Sequence, residues 1–200
     1  MSSLDKHVYE TAPAKGAPVI FAFHGTGGDE TQFSGLIPDV LPGAGIVAPR
    51  GDVSEHGANR FFRRTGEGVY DMEDLATRTQ AMIAFVRARM AAHPDVPAYA
   101  LGYSNGANIL AAMSFVAPDL FARIALLHPL IPWTPEPVAG LAARKVLITG
   151  GRRDQICPLP LTEALAGFYS AQGADLTISL HDGGHELRPN EVSALKGFFA

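Results

Sequence analysis

Six short apolar runs, Val19–Phe23, Ile46–Ala48, Ala98–Leu101, Arg123–Leu127, Val146–Thr149 and Leu176–Leu180, are spaced along the chain with helix-patterned stretches between them. Such runs read as strands, and strands that alternate with helices assemble into a mostly parallel sheet covered on both faces. The expected fold class is therefore α/β. The longest helix candidate runs from about Met72 to Ala91, with Leu75, Met82, Ile83, Phe85, Val86 and Met90 on one apolar face. Its first turn holds Asp71, Glu73 and Asp74, as the helix dipole favours. Val8–Thr11 is a candidate edge strand. With 200 residues and 47% hydrophobic content the chain can bury one sizeable core, so a single domain over 1–200 is expected, with no length left for a cap domain.

Between the run at Ala98–Leu101 and an almost wholly apolar helical stretch, Ala107 to Val116, lies Gly102-Tyr103-Ser104-Asn105-Gly106. This G-x-S-x-G pattern puts Ser104 at a strand-to-helix corner, where the nucleophile is exposed and its neighbours two positions away must be small. The backbone N–H of Asn105 then sits at a helix N-terminus, where partial positive charge favours a developing oxyanion. Taken alone, the pattern equally describes a serine helix cap.

A serine hydroxyl needs a histidine base and an acid to orient it. The strand candidate Lys145 to Thr149 runs into Gly150-Gly151-Arg152-Arg153-Asp154, and Leu176–Leu180 runs into His181-Asp182-Gly183-Gly184-His185. Asp154 and His185 are the expected acid and base. With Ser104, each lies in the loop after a separate strand, and in a parallel sheet those loops gather at one edge. His181 is the rival base and Asp182 the rival acid, the latter hampered by lying in the histidine's own loop. His128, before Pro129, reads as a hydrogen-bonded structural histidine, and His7, His56 and His93 as solvated ones.

The strand Val19–Phe23 is followed by His24-Gly25-Thr26-Gly27-Gly28-Asp29, whose glycines let a backbone N–H approach a substrate oxygen. Thr26 is the expected second oxyanion donor, through its main chain. His24 is expected to brace this loop by hydrogen bonding. Neither the G-x-G-x-x-G spacing nor the lysine of a nucleotide-binding loop is present.

Taken in order, HGTGGD, GYSNGA, GGRRDQICP and DGGH resemble an α/β-hydrolase of the phospholipase/carboxylesterase type, a group that includes acyl-protein thioesterases. The segment from Asn59 through Leu75 resembles its small bacterial carboxylesterase branch. The resemblance spans nearly the whole chain from Val19 onward. It implies the α/β-hydrolase fold and supports the triad on Ser104, Asp154 and His185. Many members carry glutamine after the nucleophile where this chain has Asn105, a small departure because the backbone N–H does the work. The resemblance also admits a homodimer.

Two long connections are expected to shape the substrate site. Gly51 to Val69 carries Arg60, Phe61, Phe62, Arg63 and Arg64. Its arginines either grip an anionic substrate group or pair internally with Asp71, Glu73 or Asp74, and its phenylalanines either contact substrate or pin the loop. Pro129 to Gly140 holds four prolines and Trp133, the only tryptophan, which either walls the pocket or covers core. Arg60, Phe61, Arg64 and Trp133 are thus the candidate substrate contacts.

A net charge of −4 and a pI near 5.9 argue against a nucleic-acid partner or an anionic-membrane surface. The single Cys157 excludes an internal disulfide and reads as a buried packing residue. The N-terminus, MSSLDKHVYE, lacks an export signal, and no apolar run approaches the roughly 20 residues that cross a bilayer, so a cytoplasmic protein without stable membrane association is expected. The expected function is a serine carboxylesterase acting on small to medium carboxylic esters, with no metal and no organic cofactor. Thioester or lysophospholipid cleavage is the alternative within the fold, and a non-catalytic ligand-binding protein is the alternative of another class.

Overall fold

The computed structural model describes residues 3–200; Met1 and Ser2, part of the N-terminal segment read for export, lie outside it. Seven strands form the central sheet: β1 (Val8–Thr11), β2 (Val19–Phe23), β3 (Gly45–Pro49), β8 (Ala98–Tyr103), β9 (Arg123–Leu127), β10 (Lys145–Gly151) and β11 (Asp175–His181). Between β3 and β8 lie four shorter strands, β4 (Val53–Glu55), β5 (Ala58–Arg60), β6 (Arg64–Gly66) and β7 (Val69–Tyr70). The helices are α1 (Leu36–Val40), α2 (Met72–Met90), α3 (Asn105–Val116), α4 (Leu159–Ala171) and α5 (Pro189–Phe199), after a short 3-10 turn at Ser3–Asp5.

The sheet order is β1-β3-β2-β8-β9-β10-β11. Only β1 runs antiparallel, on β3; every other neighbouring pair is parallel. All five residues of β2 and of β3 are buried, because helices cover both faces and no position is left for a polar side chain. The two-residue period of a strand divides β2 between two cores. Val19, Phe21 and Phe23 enter the larger one, with residues of α2, α3 and α4, while Ile20 and Ala22 enter the smaller one with Ile37 of α1 and Leu195 and Phe198 of α5. Helix α3 lies between the sheet and α2, which explains its apolar circumference: Asn105 through Ser114 are all buried. Asp71 caps α2 by accepting the Asp74 N–H at 3.0 Å.

The six strand candidates and the Val8–Thr11 edge strand all form; β1, β2 and β9 have the bounds read, and the other four are two or three residues longer. The segment Gly51 to Val69 differs from the loop expected there. It folds into two small hairpins, β4–β5 and β6–β7. The first turns at His56 and Gly57, both at positive φ (51° and 89°), the conformation a two-residue hairpin turn requires. These strands are too short and polar to carry an apolar alternation, so the sequence pattern did not mark them. Pro129 to Gly140 is irregular, as its prolines lead one to expect.

Candidate active site

Strand β8 ends at Tyr103 and α3 begins at Asn105, leaving Ser104 alone at the corner with φ 52° and ψ −117°. An L-residue pays a steric cost in that region, of order 1–3 kcal/mol. The corner is locked on both sides: Ser104 N–H donates to the Leu127 carbonyl of β9 at 2.9 Å, and its own carbonyl accepts from Asn108 N–H at 3.0 Å. The Ser104 hydroxyl makes no helix-cap bond, contrary to the alternative reading of the pentapeptide.

His185 Nε2 lies 2.9 Å from Ser104 Oγ, and His185 Nδ1 lies 2.7 Å from Asp154 Oδ2. The loops after β8, β10 and β11 thus bring the three expected residues into one hydrogen-bonded line. Asp154 Oδ1 accepts the N–H groups of Ile156 and Cys157, each at 2.9 Å. Burial by itself would raise the Asp154 carboxyl, but the Cys157 N–H, His128 and His185 outweigh it and hold the group below the ordinary carboxylate range. The histidine loop is fastened to the acid loop, Arg153 N–H donating to the Gly183 carbonyl at 2.9 Å. Tyr103 OH donates to the His185 carbonyl at 2.6 Å.

Thr26, Ser104 and Asn105 line one cavity of about 60 Å³. Among the described residues neither the Thr26 nor the Asn105 backbone N–H has a hydrogen-bond partner, so both are available to an oxygen in that cavity. The Thr26 loop is braced as expected: His24 Nδ1–H donates to the Gly25 carbonyl at 2.7 Å, and His24 Nε2 accepts the Gly51 N–H at 2.9 Å. Asn105 Oδ1 accepts the Phe61 N–H at 2.8 Å, tying the Arg60–Phe62 segment to the head of α3.

Of the four candidate substrate contacts, Arg60 and Arg64 line this cavity, together with Glu67, Tyr70, Asn108, Leu130, Ile156 and Cys157. Phe61 does not; it is 1% exposed and packs on Phe23 and His24, so it pins the segment to the core. Trp133 does not either, and meets Tyr70 edge-on at 5.9 Å as a cover on the larger core. The arginine pairing differs in part from expectation. Arg63 pairs with Asp71 and Asp74, but Arg60 and Arg64 both pair with Glu55, which the new hairpin brings across from β4.

The rival acid and base lie away from Ser104. Asp182 is largely in solvent, and His181 faces Glu191 with Nδ1 accepting the Gly183 N–H. His128 is buried and hydrogen-bonded, as expected, but its partner was not foreseen, and neither was Glu191. His128 Nδ1 lies 2.8 Å from Asp154 Oδ2, and Glu191 of α5 lies beyond His128. His128 could have been suspected, since it follows β9 at the same sheet edge. Nothing local marks Glu191, which occupies an ordinary helix N-terminal position.

The parallel sheet with helices on both faces and the loop positions of these residues define the α/β-hydrolase class. No family model matches the chain. A protein named "Putative hydrolase MhqD" from Bacillus subtilis (strain 168) is 33% identical over 196 residues, 97% of each chain. The solved structure of the Bacillus cereus carboxylesterase superposes with a TM-score of 0.91 at 33% identity, covering 96% of this chain and 92% of that one. Another, the protein Atu2452 of unknown function from Agrobacterium tumefaciens str. C58, has a TM-score of 0.91 at 48% identity over 99% and 98% of the two chains. The chain belongs to the α/β-hydrolase carboxylesterase family, and it is a hydrolase. Among the described residues no helix is long and apolar enough to cross a membrane.

Proposed function

We propose that the protein is a serine carboxylesterase for small, uncharged carboxylic esters. The observation that carries the reading is the line Ser104–His185–Asp154, with contacts of 2.9 and 2.7 Å, beside two unengaged N–H donors. Ser104 Oγ attacks the ester carbonyl while His185 Nε2 takes the hydroxyl proton, and Asp154 holds Nδ1–H and steadies the imidazolium that forms. The N–H groups of Thr26 and Asn105 receive the carbonyl oxygen as it becomes an oxyanion. Collapse of the adduct expels the alcohol, which leaves with the proton from His185. Water then attacks the acyl-enzyme by the same proton route and releases the acid.

Size and charge of the cavity support the substrate class. A cavity of about 60 Å³ beside Ser104 suits a short acyl group. Arg60, Arg64 and Glu67 line the space and Glu55 spans both arginines, so the local charges balance and favour a neutral ester over an anionic one.

The test combines active-site labelling with a chain-length series. A fluorophosphonate should label the wild type at Ser104 and leave Ser104→Ala unmarked, and turnover of p-nitrophenyl esters should fall as the acyl chain lengthens. Labelling retained in Ser104→Ala would overturn the nucleophile, whereas a long-chain optimum would overturn only the substrate class.

A further inference from the structure

One oxygen, Asp154 Oδ2, faces two imidazoles: His185 Nδ1 at 2.7 Å and His128 Nδ1 at 2.8 Å. It can accept from both only if both Nδ1 atoms carry protons. The far nitrogen of His128 then decides its charge. His128 Nε2 lies 3.2 Å from Glu191 Oε1, and Glu191 is an acceptor on both oxygens, from Thr149 Oγ1–H at 2.6 Å and Arg188 N–H at 2.8 Å. A lone pair on Nε2 would confront that carboxylate, whereas a proton there makes the contact attractive. The approach is off the line of an ideal hydrogen bond, so it acts as a charge contact.

We infer that His128 is an imidazolium held between the buried carboxylates of Asp154 and Glu191, a positioning residue that fixes Asp154 and opposes the positive charge His185 takes up during turnover. The catalytic half of this statement rests on the esterase reading above.

Charge balance supports it. The side chains of His128, Asp154 and Glu191 are 0%, 0% and 1% exposed, and two carboxylates without a cation between them would be costly at that depth. Burial pulls the His128 imidazolium down, but the Glu191 and Asp154 carboxylates beside it outweigh burial and the net direction is up. Burial pushes the nearby Cys157 thiol up and the Tyr103 phenol up to about 12, so neither adds a charge. His181 leaves the Glu191 charge uncancelled, since Nδ1 accepts the Gly183 N–H at 2.9 Å and the one ring proton is left on Nε2, 3.2 Å from Glu191 Oε2 and off the line of a hydrogen bond. That proton also disqualifies a metal at His128, His181 and Glu191, whose donor atoms lie within 4.8 Å of one another. An ion would need the Nε2 lone pair.

The backbone gives a separate indication. His128 sits at φ 49°, a left-handed conformation, with its N–H donating to the Thr149 carbonyl at 3.0 Å and its carbonyl accepting from Cys157 Sγ at 3.1 Å. The imidazole bonds have to outweigh that strain. His128 and His185 ring centroids are 5.1 Å apart, close enough for like charges to oppose each other strongly in a buried setting.

Two variants remove the charge while keeping shape. His128→Asn suits the left-handed backbone and retains a donor for Asp154, and Glu191→Gln keeps an acceptor for Thr149 while removing the counter-charge. With ¹⁵N-histidine NMR, one wild-type imidazole should have both nitrogens protonated at about pH 8, above the ordinary imidazole value of about 6.5. That signal should vanish in His128→Asn and lose a proton in Glu191→Gln. In both variants the acid limb of the fluorophosphonate labelling rate should move up by about one pH unit. A purely structural role would lower stability without moving the limb.

The proposal is overturned if no doubly protonated imidazole is present in the wild type at that pH, if the limb stays put in both folded variants, or if the purified protein carries stoichiometric metal. A wild type that shows the NMR signature but is not labelled would instead count against the esterase reading, with the imidazolium upheld.

Discussion

Gly106 of α3 lies against the backbone carbonyl of Phe23, so close that a Cβ at position 106 would overlap the Phe23 and His24 main chain. The helix that begins just after Ser104 can approach the central strand only because this residue has no side chain. Gly102 has the same relation to the Gly106 carbonyl, so the pentapeptide is closed upon itself. Because the obstruction is backbone and cannot rotate away, Gly106→Ala should destabilise the protein by about 3 kcal/mol or more, or leave it insoluble. Chemical denaturation of the two proteins checks this, and a near-neutral result would mean that the corner can open.

On the proposed mechanism Asn105 acts twice, through its backbone N–H and through its side chain, and the two roles can be separated. Asn105→Ala keeps the backbone N–H but strands the buried Phe61 N–H, which should cost ~2 kcal/mol of stability. Asn105→Asp keeps the acceptor for Phe61 but adds negative charge where the oxyanion develops, so kcat should fall by about a hundredfold or more. Equal kcat in the two variants, measured on the same ester with folding checked by circular dichroism, would count against an oxyanion at this helix end.

These pairings mark where the sequence was legible and where it stopped. The strand runs and the G-x-S-x-G corner are local patterns, each dictated by burial or by close approach over a few residues, and they placed β2, β8, β9, β10 and β11 and the loops that carry Ser104, Asp154 and His185. Contacts between segments far apart in the chain leave no such trace. Glu55 meets Arg60 and Arg64 only because a polar hairpin forms, and Glu191 meets His128 only because α5 packs under the sheet edge. Phe61 and Trp133 show the converse, for an aromatic in a loop looks the same in sequence whether it faces a pocket or the core.

Arg60 and Arg64 share Glu55 but should differ in weight. Arg64 is a third exposed and its ion pair meets solvent, so Arg64→Ala should cost less than ~1 kcal/mol. The Arg60 side chain is 4% exposed and also donates to the Phe62 carbonyl at 3.3 Å and to Thr26 Oγ1 at 2.8 Å. Arg60→Ala should therefore cost about 2 kcal/mol and raise KM by loosening the Thr26 wall. Arg60→Lys should not restore it, because a point charge cannot span the partners of a planar fork. Urea midpoints and steady-state kinetics on the three variants decide the ranking, and equal costs for Arg60→Ala and Arg64→Ala would refute it.

Two buried histidines should give the stability of the protein a maximum in pH. His24 is lowered from the ordinary 6.5, mainly by burial, which the Gly25 carbonyl only partly offsets. Below about pH 6.5 the unfolded chain therefore binds a proton at position 24 that the folded one refuses, and stability falls as pH falls. His128 is shifted the other way: burial lowers it, but Glu191 and Asp154 raise it further. Its stabilisation is complete below the unfolded value and is lost as pH rises from there through the folded value. The two slopes have opposite signs and meet near pH 6.5, each limited to about 1.4 kcal/mol per pH unit for one proton. Below about pH 4, protonation of Asp154 and Glu191, both lowered in the fold, should steepen the acid side. Urea midpoints across pH should peak near 6.5 in the wild type. His128→Asn should flatten the alkaline side alone, and His24→Gln the limb just below the peak. A wild-type curve that keeps rising above pH 7.5 would mean that His128 is neutral in the folded protein.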